Sequence, residues 1–167
     1  TFGGSTITQQ LIKVTTQEND HSVKRKINEI LAASYMESTK YTKDEILEAY
    51  LNNVPLTGDL IGVGIGARAY FGKELQDLSI AECAVLASIT NNPSIYGPYS
   101  DLKMNKKLKS GEIVTWTAKQ WNKYRQENVL YAMLEQELIT QEEYDALAKT
   151  CGSYYLDMMK YKKESYG

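Results

Sequence analysis

A single histidine, two cysteines and three prolines leave this chain short of residues that several functions demand. Cys83 lies in an apolar stretch and Cys151 beside a glycine near the C-terminal end, a spacing that offers neither a disulfide framework nor a metal-type cluster. Cys83 is expected to be an unpaired, buried thiol. No apolar run approaches the ~20 residues that cross a bilayer, and no segment reads as a signal peptide. An excess of positive charge is also missing: the net charge is −2 and the pI about 5.5. A nucleic-acid binder needs a basic surface to displace counterions, so that class is excluded. No segment reads convincingly as a strand, which points to an all-α fold.

What is present suits one globular core. The 167 residues are 43% hydrophobic and 24% charged, and one domain is expected over residues 1–150. Thr42 with Glu45, Ser79 with Glu82, and Thr140 with Glu143 each form a capping box that opens a helix. Ile46, Leu47, Tyr50 and Leu51 mark the buried face of the first of these. The second is apolar on nearly all sides and belongs at the centre of a core. From Thr117 a long helix carries Trp121, Tyr124, Leu130, Tyr131 and Leu134 inward. The polar, lysine-rich and poorly periodic stretch at about 98–116 reads as a mobile loop, and residues 151–167 as a tyrosine- and lysine-rich tail. Ser100-Asp101-Leu102-Lys103 matches a Ser-x-x-Lys nucleophile motif, but no Lys-Thr-Gly partner accompanies it and the match is set aside. Gly58, Gly62, Gly64 and Gly66 lack the pattern of a phosphate cradle and more simply let a helix pack closely.

Chemistry concentrates near the start. In Gly3-Gly4-Ser5-Thr6-Ile7-Thr8-Gln9-Gln10-Leu11 two glycines permit a tight turn, and Thr6 with Gln9 fits a capping box. A helix N-terminus flanked by hydroxyls is suited to an anion or to sugar hydroxyls. Ile7, Leu11 and Val14 fall on one face, leaving Gln9, Gln10 and Lys13 as a polar wall.

A second helix follows, with Ser22 as N-cap and Val23, Ile27, Ile30 and Leu31 on its apolar face. Its first turn carries Lys24, Arg25 and Lys26, at the end where the macrodipole disfavours cations by roughly 0.3–1 kcal/mol each. A bound anion would relieve that cost. Glu29 lies one turn beyond Arg25 and Lys26, whose charges would hold it ionised. Taken singly, these features are also what a loop–helix junction and an exposed ion pair look like; their combination is more specific.

The run from Gly3 to Lys13, GGSTITQQLIK, and Arg25 to Glu29, RKINE, resemble the second and third motifs of the peptidoglycan glycosyltransferase (transglycosylase) domain found in bifunctional class A penicillin-binding proteins and monofunctional transglycosylases, glycosyltransferase family 51. Asp44 to Asn52 resembles the fourth motif. Ala67 to Lys73 with Leu78 to Glu82 resembles the fifth, and residues 126–148 the end of that domain. The resemblance implies a lysozyme-like helical domain. The family's first motif, which contains Glu-Asp, has no match in these residues, so the chain is read as an N-terminally truncated domain.

The family polymerises a disaccharide-peptide carried on polyprenyl pyrophosphate, with inversion at the anomeric carbon. Carried over by resemblance, Ser5, Gln9, Gln10, Lys13, Arg25 and Lys26 bind substrate. Glu29 is the catalytic acid on the pyrophosphate side, and it is also the residue that would hold a divalent cation, Mg or Mn. The general base would be the first-motif glutamate, which makes these residues alone inactive in expectation. His21 and Asn28 stand where family members often carry cations, lowering the positive charge of the site. Expected partners are the lipid-linked precursor, the growing glycan chain and a membrane surface, at the extracytoplasmic face of the cell membrane, with a transpeptidase domain downstream if the chain comes from a bifunctional member. The alternatives are a non-catalytic module binding lipid pyrophosphate or a protein partner, and a lysozyme-like hydrolase. The latter needs a glutamate of raised pKa, whereas Glu29 sits among cations.

Overall fold

The computed structural model describes residues 7, 9, 10, 12, 31–38 and 41–152. Helix dominates them, as the all-α, lysozyme-like class requires. Within the stretch read as one domain they gather into two compact units. One comprises the described residues of Thr1–Pro55 with Ile61–Val63, the other those of Leu56–Leu60 with Gly64–Gly167.

In the first unit residues 31–38 are helical and bury Ala33, while Leu31 and Tyr35 stay exposed. Helix α1 (Lys43–Asn53) opens on the expected capping box: Thr42 Oγ1 accepts from Glu45 N at 3.2 Å, and Glu45 Oε2 accepts from Thr42 N at 2.7 Å. Its buried face is narrower than the periodicity suggests. Ile46 is buried and Tyr50 and Leu51 half-buried, but Leu47 is exposed. Beyond α1, Val54 O accepts from Gly62 N at 2.8 Å, and Pro55 pairs with Ile61 in an isolated antiparallel bridge. Gly62 has φ 87°, and a Cβ there would lie 2.5 Å from Asn52 O, so this closure requires glycine.

In the second unit, helix α2 (Val63–Phe71) packs through Gly66, where a Cβ would come within 2.5 Å of Leu56 Cδ1. The close-packing role expected of these glycines holds at that position. A 3-10 turn (Leu75–Asp77) leads to α3 (Ile80–Asn91), which begins on the Ser79–Glu82 capping box. Ala81, Ala84, Val85, Leu86 and Ile89 of α3 are buried, as its composition requires. Cys83 is not: Ile80, Cys83 and Ala87 form one exposed stripe of the helix, which corrects the expectation of a buried thiol. The short α4 (Pro93–Tyr96) follows, N-capped by Asn92.

Where no strand was expected there is a hairpin. Strand β1 (Lys103–Lys107) pairs antiparallel with β2 (Ile113–Thr117), with Met104 opposite Trp116 and Lys106 opposite Val114. Three lysines in β1 obscure the alternation, but Met104, Lys106, Val114 and Trp116 share one face. Gly111, at φ 93°, makes the turn. A two-stranded ribbon is marginal by itself. This one is anchored by Trp116 against Trp121, ring centroids 4.7 Å apart, and by a hydrogen bond from Trp121 Nε1 to Met104 O at 3.3 Å.

Helix α5 (Ala118–Glu135), capped by Thr117 and Gln120, lies against α3. Trp121 and Leu130 are buried as expected and Tyr124 and Leu134 half-buried, but Tyr131 is exposed and meets the Tyr144 ring edge-on at 6.1 Å. Helix α6 (Gln141–Thr150), with the expected Thr140–Glu143 box, closes the unit. Cys151 is buried with Ala84 and Leu130.

Candidate functional site

Gln9 and Gln10 fall in helical backbone and are half-buried. Ile7, on the face read as apolar, is exposed. Ser5, Lys13, Arg25, Lys26 and Glu29 lie outside the described residues, as do His21, Asn28 and the Thr6 cap.

Beside the glutamines the same segment contributes Ile12 to a groove of about 340 Å³ within the first unit, lined also by Met36, Tyr41, Glu45, Ile46, Ala49 and Asn53. Its polar groups are engaged locally. Glu45 Oε2 holds the Thr42 amide, and Asn53 Nδ2 donates to Ala49 O at 2.8 Å. Apart from the Tyr41 hydroxyl the remaining wall, Ile12, Met36, Ile46 and Ala49, is apolar, a surface for hydrocarbon or for the C–H face of a sugar. The sequence reading did not find this groove, because Met36 and Tyr41 belong to no motif.

The fifth-motif stretch is built into the second unit. Ala67 and Tyr70 are fully buried, and the Tyr70 ring stacks on Tyr99 with centroids 5.0 Å apart. Its charged residues tie the chain together. Lys73 Nζ donates to Glu82 Oε1 at 2.8 Å, and Glu82 Oε2 accepts from Ser79 N at 2.8 Å. Both oxygens of this buried carboxylate are therefore engaged in holding Lys73 and the Ser79 amide. Arg68 grips Glu74 with two parallel hydrogen bonds of 2.9 and 2.8 Å. Those bonds hold the Glu74 carboxyl below the usual carboxylate range and raise the Arg68 guanidinium. Ser100, in the discounted Ser-x-x-Lys match, accepts from Leu102 N at 3.3 Å in a local turn, and Lys103 begins β1. Among the described residues no three His, Cys, Asp or Glu side chains gather as metal ligands. None of the helices they form is long and apolar enough to cross a membrane.

A family model described as Transglycosylase matches residues 1–134. Penicillin-binding protein 1A of Clostridium botulinum (strain Langeland / NCTC 10281 / Type F) is 39% identical over 158 residues, covering 95% of this chain and 18% of the relative. Penicillin-binding protein 4 of Bacillus subtilis (strain 168) is 38% identical over 141 residues, 84% of this chain and 20% of the relative. Among solved structures, penicillin-binding protein 1A from Haemophilus influenzae is similar with a TM-score of 0.51 and 27% identity, over 86% of this chain and 16% of that one. The chain thus spans about a fifth or less of the length of the proteins it matches.

Proposed function

The chain belongs to the transglycosylase family, and on that premise we propose that it is the glycan-polymerising part of a peptidoglycan glycosyltransferase acting on polyprenyl-pyrophosphate-linked disaccharide-peptide. The observation that carries the reading is the span of the family match, which contains every residue assigned to the site, from Ser5 to Glu29. The half-buried helical placement of Gln9 and Gln10 beside an apolar groove supports it, since the substrate joins a sugar and a charged diphosphate to a hydrocarbon chain.

In the reaction a sugar hydroxyl of one substrate attacks the anomeric carbon of the other. A new C–O bond forms, the bond to the pyrophosphate oxygen breaks with its electron pair, and a general base takes the hydroxyl proton. Ser5, Gln9, Gln10 and Lys13 orient the substrate. Arg25 and Lys26 neutralise the departing diphosphate, and Glu29, one turn further along the sequence, tunes that charge. A divalent cation, Mg or Mn, belongs to the proposal at Glu29 alone, and binding with and without EDTA tests it. The base is assigned to the first motif, which these 167 residues do not contain. In the whole protein the reaction takes place at the extracytoplasmic face of the cell membrane.

The test is binding of the lipid-linked disaccharide-peptide by the chain, followed by glycan synthesis once the first-motif segment is joined to it. Arg25→Ala/Lys26→Ala should weaken binding by at least about tenfold, the scale set by lost charge-assisted hydrogen bonds. Glycan polymerisation by the 167 residues alone would overturn the assignment of the base. Release of reducing ends from polymeric glycan would replace the reading with a hydrolase. Binding without turnover in the extended chain would leave a non-catalytic lipid-pyrophosphate module.

A further inference from the structure

The hairpin and helix α5 enclose a second recess, of about 230 Å³, far along the chain from the residues assigned to glycan synthesis. Its walls are Tyr96, Trp121 and Tyr124, and its charged lining is Lys106, Lys107, Lys109 and Arg125. Among the described residues no carboxylate lines it. Elsewhere in the unit cations are paired with acids: Arg68 with Glu74, Lys73 with Glu82, and Lys123 with Glu127 at 2.9 Å. Here Lys106 and Arg125 lean on aromatic rings instead. Lys106 Nζ lies 5.8 Å from the Tyr96 centroid and 5.7 Å from that of Trp121, and donates to Tyr96 Oη at 3.1 Å. The Arg125 guanidinium lies 5.3 Å from the Tyr96 ring, with Nη2 on Asn91 Oδ1 at 3.0 Å. Its Nε is buried with no hydrogen-bond partner among the described residues.

Four like charges held around one recess repel one another, and an anion in their midst relieves that repulsion. The donors come from three places: β1, the turn at Lys109, and α5. Convergence from several directions suits the tetrahedral oxygens of a phosphate better than the two coplanar oxygens of a carboxylate, and both Arg and Lys serve as phosphate donors. We propose that the recess between the hairpin and α5 is an anion site that takes a phosphate monoester, free or on a lipid headgroup, with Lys107, Lys109 and Arg125 as its donors and Lys106 as the cation fixed between the rings. Polar lysines on a short ribbon also discourage edge pairing. That role alone would not place Lys106 and Arg125 together against Tyr96 on the inner side.

The chain reports on this recess by itself. Its two tryptophans are Trp116 and Trp121, and both belong to this cluster, so intrinsic tryptophan emission reads this place. The full chain is titrated with inorganic phosphate at constant ionic strength, and separately with phosphatidylcholine vesicles with and without phosphatidic acid. A saturable emission change is expected. Lys107→Ala/Lys109→Ala, two exposed positions whose loss circular dichroism should show leaves the helices intact, should weaken it by about tenfold or more. A response to free phosphate identifies a soluble ligand; one confined to phosphatidic acid vesicles identifies a lipid headgroup, and either supports the site. Arg25→Ala/Lys26→Ala should leave the response unchanged, which separates this site from the glycosyltransferase reading. No saturable change with either probe would overturn the proposal. So would an equal change in the Lys107/Lys109 variant, or a change lost only in the Arg25/Lys26 variant.

Discussion

Helices α3 and α5 are packed against each other in the second unit and become buried by different routes. α3 is apolar almost all round, and where it buries a hydroxyl the helix answers it locally: Ser88 Oγ donates to Ala84 O at 2.7 Å. α5 is polar on average yet buries Asn122 and Gln126 completely. It can do so because both amides find carbonyls. Asn122 Nδ2 donates to Tyr96 O at 2.8 Å and Val85 O at 3.4 Å, and Gln126 Nε2 to Ala81 O at 3.0 Å. A buried amide without a partner would cost about 1–3 kcal/mol. Burial on α3 follows from composition, whereas on α5 it depends on a matched neighbour.

That contrast can be tested by substitution. Ile89→Ala, at a fully buried position of α3, should have the largest effect, lowering stability by about 2–5 kcal/mol in urea unfolding. A much smaller loss would mean that the α3 side of the interface is loosely packed. Asn122→Leu keeps the branched shape of the side chain but strips the partner from Tyr96 O, and should cost about 1–3 kcal/mol. Gln126→Leu is the sharper probe. Gln126 Oε1 is buried without a partner among the described residues, so leucine removes an unmet acceptor along with one hydrogen bond, and the net change should stay within about 1 kcal/mol. Equal losses at 122 and 126 would break the claim that pairing, not mere presence, decides the outcome.

A smaller effect comes from the edge of the same interface. Burial, and then the charge of Glu127, push the Cys151 thiol from 9.0 up to about 11, against a lesser opposing effect of Lys123. The folded chain therefore holds this proton where the unfolded chain has released it. Stability should fall as pH rises from 9 towards about 11, and Cys151→Ala should flatten that decline, measured as urea midpoints across the window. In native protein a thiol reagent should modify exposed Cys83 and leave Cys151 until unfolding.

The helix starts were legible because a capping box is a local device: Thr42, Ser79 and Thr140 each act on an amide three residues on, and the structure makes all three bonds. The burial of α3 was legible for the same reason, being a property of its own residues. What could not be read depends on partners distant in sequence. Asn122 and Gln126 look solvent-facing until the carbonyls of Val85 and Ala81 stand opposite. β1 looks like a loop until β2 supplies its register. Cys83 looks buried until the exposed stripe through Ile80 and Ala87 is seen. Of the site, the residue pattern alone suggested an anion-binding helix end. The substrate class came from the GGSTITQQLIK and RKINE motifs, and the aromatic cation recess from neither.

The pairing between α3 and α5 has a mechanical corollary. Asn122 and Gln126 are four residues apart, and so are Val85 and Ala81, running the opposite way. The two helices therefore mesh like a rack with teeth four residues apart, about 6 Å. Small slippage strands both amides between carbonyls at once, and one whole step leaves at least one amide facing the wrong tooth. Sliding along this seam is therefore opposed by the loss of both amide hydrogen bonds together.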